Sequence, residues 1–290
     1  MTARTWFITG ANSGFGHEMT EQLLRRGDRV AGTVRKLDAV ADLKDEYGDR
    51  FWTAHLDVTD TAEIKTVVDK AFAELGTVDV VVNNAGYGLF GAAEELTDSQ
   101  IDHIIATNLT GSIHVIRAAL PHLRAQQGGR IIQISTFGGQ AAFPGGSMYH
   151  ATKWAVEGFT EAVAREVAGF GIGVTIIQPG GARTRFRYGS AQLGPALEAY
   201  ADTPAAAVRA ILESGQALPP GDPARMASVI IGSAEQTPPP CASRWARTPS
   251  ASSARPSRTA WPPWRHSRTS PPRRTSRPAS SPRPGGHHTP

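Results

Sequence analysis

Thr9-Gly10-Ala11-Asn12-Ser13-Gly14-Phe15-Gly16 is the stretch whose reading decides the fold. It follows a short β-rich run, Trp6–Thr9, and leads into a stretch with helical character from His17 to Arg26. The glycines permit a tight turn and a close backbone approach to a ligand. The helix N-terminus that follows favours an anion such as a pyrophosphate. A turn of this kind can also do no more than join a strand to a helix, so the rest of the chain must carry the reading.

Working outward, five more β-rich runs alternate with helical patterns: Val30–Val34, Phe51–Leu56, Val78–Asn83, Arg130–Ser135 and Val174–Gln178. Their apolar residues are continuous rather than alternating, which is the pattern of strands covered on both faces. Between them, residues such as Ile64, Val67, Val68, Ala71 and Phe72 recur at helical spacing. The expected architecture is therefore an α/β fold: a doubly wound parallel sheet in a single domain. Asp60-x-x-Glu63 and Thr97-x-x-Gln100 have the spacing of capping boxes and mark two helix starts.

Further along, Tyr149-His-Ala-Thr-Lys153 places a phenol and an amine four residues apart, on one face of a helix. A free phenol, with a pKa of about 10, is a poor acid or base near neutrality, and a nearby ammonium favours the phenolate. Most such pairs on helices are inert, so the pair gains meaning only from its company. That company is Asn83-Asn84-Ala85-Gly86 after the fourth run, Asn108 in a long helical stretch, and Pro179-Gly180 with Thr184 after the sixth.

In this order the motifs resemble the short-chain dehydrogenase/reductase family over roughly residues 5 to 235, and the resemblance implies a Rossmann-type fold. It implies an oxidoreductase that moves hydride between a nicotinamide cofactor and a ketone or secondary alcohol. Tyr149 would pass the proton. Lys153 would bind the nicotinamide ribose and lower the tyrosine pKa, and Asn108 would hold a water linking Lys153 to solvent. The family's catalytic hydroxyl stands thirteen residues before the tyrosine, which is Thr136; Ser135 is the fallback. Adjacent strand residues point to opposite faces, so only one of the two can face the substrate. Gly10, Asn12, Ser13, Gly14, Phe15, Gly16, Asn84, Ala85 and Gly86 would line the cofactor, with Pro179, Gly180 and Thr184 at the nicotinamide end. Asp57 and Val58 match the adenine position, although Asp57 could equally close a turn or cap a helix.

The second run ends Thr33-Val34-Arg35-Lys36, with no carboxylate until Asp38. An acidic residue there would repel a 2′-phosphate and an arginine would accept it, so NADP is expected over NAD, with Arg35 as the clamp. The bland alternative is two cations solvated at a strand end. The irregular stretch from Arg183 to about Tyr200 resembles a substrate lid. Phe90, Phe143 and Pro144 are candidate apolar walls. The nine histidines do not suggest a metal site: His103, His114 and His122 share a helical stretch without an i,i+4 pair. A nucleotide-sensing or scaffold protein on the same fold is the alternative function, and it would not need Tyr149, Lys153 and Asn108 together.

Within the 290 residues the composition is uneven. Residues 1–236 carry 20 Lys and Arg against 26 Asp and Glu; ten arginines lie between Arg244 and Arg283, and no acid follows Glu235. A mildly acidic body, 1–236, is thus followed by a basic Pro/Ser/Arg-rich tail, 237–290, which is expected to be disordered. The abrupt change is what a one-base slip near Pro240 in a GC-rich gene would produce. The sheet is then expected to lack the family's last strand and closing helix. A nucleic-acid-binding arm is the less favoured reading of the tail. The single cysteine, Cys241, excludes a disulfide within the chain, and no apolar run approaches the length of a membrane span. The expected setting is cytoplasmic, with a small carbonyl or alcohol as substrate. Relatives commonly form homo-oligomers through the helices carrying Lys153 and Asn108.

Overall fold

In the computed structural model, residues 3–215 and 219–236 are described in full and residues 242–245 by their backbone. The order of elements is β1 (Thr5–Thr9), α1 (Gly14–Arg25), β2 (Arg29–Val34), α2 (Ala41–Tyr47), β3 (Phe51–His55), α3 (Thr61–Leu75), β4 (Val80–Asn83) and β5 (Leu89–Phe90). There follow α4 (Asp98–Ile105), α5 (Ser112–Ala125), β6 (Gly129–Ile134), α6 (Ser147–Val167), β7 (Ile172–Pro179) and β8 (Gln192–Leu193). The described chain closes with α7 (Pro204–Ser214), α8 (Pro223–Ser233) and β9 (Ala242–Trp245).

The six strands expected from the sequence form one parallel sheet, in the order β3-β2-β1-β4-β6-β7. The inner strands are buried on both faces, as their continuous apolar runs require, whereas β3 at the edge buries Phe51 and leaves His55 exposed. Within β1, Trp6 and Ile8 join the core shared with Met19 and Leu23 of α1 and Ile230 of α8. Phe7, between them, points to the opposite core with Ile64 and Val68 of α3, Ile116 of α5 and Val163 of α6. One residue of slip would exchange these two faces, so the strand's register is strongly specified.

Beyond these six strands one short segment lies at the open edge of β7. The backbone of Ala242–Trp245 lies parallel to β7, in register Ile176↔Ala242 to Pro179↔Trp245. The open edge of β7 offers a row of unpaired N–H and C=O groups, and any extended segment can satisfy them whatever its side chains are. Apart from this backbone, the expectations for 237–290 lie outside the described residues.

The helix caps follow the sequence with one exception. Thr97 and Gln100 form the complete reciprocal box, at 3.2 and 3.1 Å. Asp60 caps α3 through the amides of Ala62 and Glu63. Glu63, however, does not return to Asp60; its carboxylate takes the Asp57 N–H and pairs with His55. No helix among the described residues is long and apolar enough to cross a membrane.

Candidate active site

Chain direction from β1 reverses in the sheet order, with β2 on one side and β4 on the other, and this leaves a crevice beyond the C-terminal ends of β1 and β4. The glycine turn lies there. Gly10 and Gly14 have φ of +70° and +53°, conformations that L side chains rarely adopt. Gly16 serves a different purpose: a Cβ on it would overlap the Gly10 carbonyl and crowd the Asn84 amide. Ser13 is the N-cap of α1 but makes no side-chain cap bond, so the first turn's amides are not satisfied by it. Asn12 is exposed, and Phe15 packs on the core beneath.

This turn is tied to the loop after β4. The Thr9 hydroxyl accepts from the amides of Asn84 and Ala85, both at 3.0 Å, and the Asn84 side-chain amide donates to the carbonyls of Thr9 and Gly10. Asn84 is thus a brace for the glycine turn. The role of Thr9 had not been singled out in the sequence, although it heads the motif. An uncapped helix start behind a cradle that side chains would fill suits an anionic group.

At the far end of the crevice, Thr184 lies against Gly14: a Cβ on Gly14 would sit 3.5 Å from the Thr184 Cβ. Pro179 and Gly180 lead to it from β7. Arg35 and Lys36 are exposed at the end of β2, and neither forms an ion pair among the described residues. Asp57 accepts from the Thr59 amide and hydroxyl, at 2.9 and 2.8 Å, which is the turn-closing alternative raised by the sequence. Burial disfavours its charge, but these bonds, with Arg35 and His103 nearby, hold its carboxyl below the usual range. Val58, beside it, is buried.

Asn108 sits not in a regular helix but in a π-helical turn, Ala106–Gly111, between α4 and α5. Such turns often re-aim a side chain at a functional site. Here the Asn108 amide grips the Tyr87 backbone from both sides, accepting from its N–H at 3.0 Å and donating to its C=O at 2.8 Å. A Cβ on Gly86 would come 3.0 Å from the Asn108 Oδ1 and 3.7 Å from the Lys153 Nζ, so the absent side chain at 86 leaves room for both.

Tyr149 and Lys153 are both buried in the first turns of α6. The Lys153 ammonium donates to the Ile134 carbonyl at the end of β6, at 3.0 Å, and burial lowers its pKa to about 8. Tyr149 differs from the sequence expectation. Burial pushes it up to about 12, and the opposing influence is a hydrogen bond with the Thr136 hydroxyl rather than the charge of Lys153. Tyr149 shares a buried cluster with Leu89 and Ile104, and the rings of Phe90 and Phe186 stand 5.6 and 5.7 Å from its own.

The two candidate hydroxyls part company as adjacent strand residues should. Thr136 accepts from the Gly138 amide at 3.3 Å and donates to the Pro179 carbonyl at 3.4 Å, on the side from which it acts on Tyr149. Ser135 donates instead to the buried Glu157, at 2.5 Å.

The stretch after Thr184 is more ordered than its composition suggests. Phe186–Ser190 forms a π-helical turn, and β8 pairs with β5 in a two-stranded ribbon. Phe186 packs on Tyr149, whereas Tyr188 is exposed. Arg209 of α7 bonds Glu95 and the Gly194 carbonyl, and Tyr200 bonds Glu94, anchoring the far end. Phe143 is half exposed and stacks on Phe137. His150 is turned away from Tyr149's partners and clips the loop before α6: Nδ1 meets the Gly138 carbonyl at 2.9 Å, and Nε2 accepts the Phe143 N–H at 3.1 Å. His122 pairs with Asp69 on the opposite side of the fold, and no cluster able to hold a metal occurs among the described residues.

Comparisons with known proteins agree with this geometry. A profile of the family described as short chain dehydrogenase matches residues 4–192. The oxidoreductase BOA17 of Botryotinia fuckeliana is 36% identical over 229 residues, spanning 79% of this chain and 83% of that protein. Among solved structures, a short-chain dehydrogenase from Streptomyces avermitilis superimposes with a TM-score of 0.78 at 39% identity, covering 84% of this chain and 89% of the other. The closed form of a serine dehydrogenase complexed with NADP+ gives a TM-score of 0.72 at 26% identity, over 86% and 97% of the two chains. The chain belongs to the short-chain dehydrogenase family.

Proposed function

We propose that the protein is an NADP-preferring oxidoreductase that interconverts a ketone and a secondary alcohol, with Tyr149 as proton donor and acceptor. The observation that carries this reading is the burial of Tyr149 one helical turn from Lys153, whose ammonium is anchored on the Ile134 carbonyl at the strand end that leads to Thr136. The Tyr149 and Thr136 hydroxyls would hold one substrate oxygen between them. The bound nicotinamide would supply or accept the hydride at the carbon bearing that oxygen.

The chain's own residues do the rest. A phenol whose pKa is pushed to about 12 is protonated near neutrality, so Tyr149 is poised as an acid for carbonyl reduction. Thr136 polarises the carbonyl, and the phenolic proton passes to its oxygen. The resulting phenolate recovers a proton along Lys153 and a water held by Asn108. For alcohol oxidation the phenol must first lose its proton, and the positive charge of an oxidised nicotinamide favours that loss. Reduction therefore tolerates low pH and oxidation gains as pH rises. Phe90 and Phe186 exclude water over the phenol.

The test is to follow NADPH absorbance against a panel of ketones and aldehydes. Thr136→Ala is expected to lose about 100-fold or more in turnover, the scale of removing one oriented donor, and far more than Ser135→Ala. Full turnover in Thr136→Ala would exclude the role assigned to this hydroxyl.

The NADP preference rests on Arg35 and Lys36, both exposed and without an ion pair among the described residues, and the NADP+ complex of the related serine dehydrogenase is consistent with it. Arg35→Ala is expected to weaken NADP binding about 10- to 100-fold, the worth of a charge-assisted hydrogen bond, and to leave NAD binding nearly unchanged. Calorimetric titration with each cofactor measures both; equal losses for the two would refute the clamp. The single cysteine keeps a cytoplasmic setting as our reading of location.

A further inference from the structure

The sequence singled out Tyr149 and Lys153, yet a third group continues the same face of α6. Glu157 lies four residues beyond Lys153, one helical turn on, and is 6% exposed. Its carboxylate accepts three hydrogen bonds: from the Ser135 hydroxyl at 2.5 Å, and from the side-chain amides of Gln140 and Gln178, each at 2.6 Å. These donors come from the end of β6, the loop after it, and β7. Gly139 makes room for the carboxylate, since a Cβ there would press on it.

Two amide donors and a hydroxyl converge on this one carboxyl, and bonds of this kind are strongest to a carboxylate. A buried negative charge is costly unless it is bonded and has a cation within reach. The cation is Lys153. Around the ammonium, β6 presents the Ile134 carbonyl, the loop after β4 presents Gly86, and the π-turn presents the neutral Asn108. On its own helix the titratable groups one turn to either side are Tyr149 and Glu157, with His150 turned to the Gly138 carbonyl and Glu161, Arg165 and Glu166 further along. Lys153 forms no ion pair within 4 Å among the described residues, and Glu157 is the charge that acts on it, opposing the effect of burial.

We propose that Glu157 is a positioning residue of the site, whose buried carboxylate, clamped by Ser135, Gln140 and Gln178 one turn beyond Lys153, keeps the Lys153 ammonium charged while the relay works. The inference rests on the Tyr149 relay proposed above. It also gives Ser135 a purpose: its hydroxyl serves the electrostatics of Lys153, while its neighbour Thr136 serves the substrate.

The test reads Lys153 directly. The chain has five lysines, Lys36, Lys44, Lys65, Lys70 and Lys153, so lysine labelled with carbon-13 at Cε gives a readily assigned NMR titration of the full chain without cofactor or substrate. Glu157→Gln is expected to lower the Lys153 midpoint by about one pH unit, with the other four lysines unmoved. Gln140→Ala, which loosens the clamp but leaves the charge, is expected to keep the midpoint near that of the parent. Should Glu157→Gln not fold, the double variant Glu157→Met with Ser135→Ala removes the charge together with its strongest donor and is read in the same way. An unmoved Lys153 in the folded charge-removing variant would overturn the proposal, as would an equal shift in Gln140→Ala, which would make the role structural. The failure of the relay itself is separately visible: it would appear as absent NADPH-dependent turnover in the parent chain, whatever the Lys153 titration shows.

Discussion

Replacing Tyr149 by Phe is expected to lower the turnover of ketone reduction by about 10²- to 10⁴-fold, the worth of a positioned general acid, and to leave NADP affinity within about twofold, a difference of about 0.4 kcal/mol. The phenol is placed for chemistry, whereas the cofactor cradle is built by the glycine turn, Asn84 and Thr9. Removing the hydroxyl leaves the ring between Phe90 and Phe186, so the melting temperature should hardly move. Steady-state kinetics with NADPH, beside cofactor titration and thermal melting, separate these effects. Loss of cofactor binding equal to the loss of turnover would mean that Tyr149 builds the site rather than acting in it.

The second large effect is expected at Gly16. A methyl group there meets the Gly10 carbonyl, which is backbone and cannot rotate aside, and the Asn84 amide that braces the turn. Either α1 backs away from the strand or the Gly10 turn opens. Overpacking of this kind costs about 1–3 kcal/mol, and the displaced helix start would lose its aim at the pyrophosphate. Gly16→Ala is therefore expected to weaken cofactor binding by about 100-fold or more, as two lost charge-assisted hydrogen bonds would, and to lower the melting temperature by several degrees. Wild-type affinity in Gly16→Ala would show that the turn does not carry the cofactor.

Much of this arrangement was legible in the chain because it is local or periodic. Continuous apolar runs such as Trp6-Phe7-Ile8 announce strands covered on both faces, and these residues divide between the two cores as the period of two requires. The glycine turn is legible because positive φ and close approach leave few other residues. The thirteen-residue count places Thr136 ahead of Ser135, and the structure engages Ser135 with Glu157.

What escaped the sequence depends on residues that meet only after folding. The sign of the Tyr149 shift was misread because burial in a cluster with Leu89 and Ile104, both far from it in sequence, outweighs the ammonium one turn away. Glu157 and its donors span three elements from Ser135 to Gln178 and leave no motif beyond the eight-residue spacing from Tyr149. The π-turn at Asn108 has no glycine or proline break ahead of it to signal the extra residue. The pairing of Ala242–Trp245 with β7 is a backbone register, which a side-chain pattern does not record.

The central claim is that hydride passes between the nicotinamide and a substrate carbon while Tyr149 supplies the proton. Its most direct test uses NADPH carrying deuterium at the transferable C4 position, with a ketone turned over by the parent chain and by Tyr149→Phe, and mass spectrometry of the alcohol formed. The account predicts one deuterium on the carbinol carbon with the parent chain and a product yield lower by about 10²-fold or more with the variant. An alcohol without deuterium, or equal yields from the two chains, would contradict it.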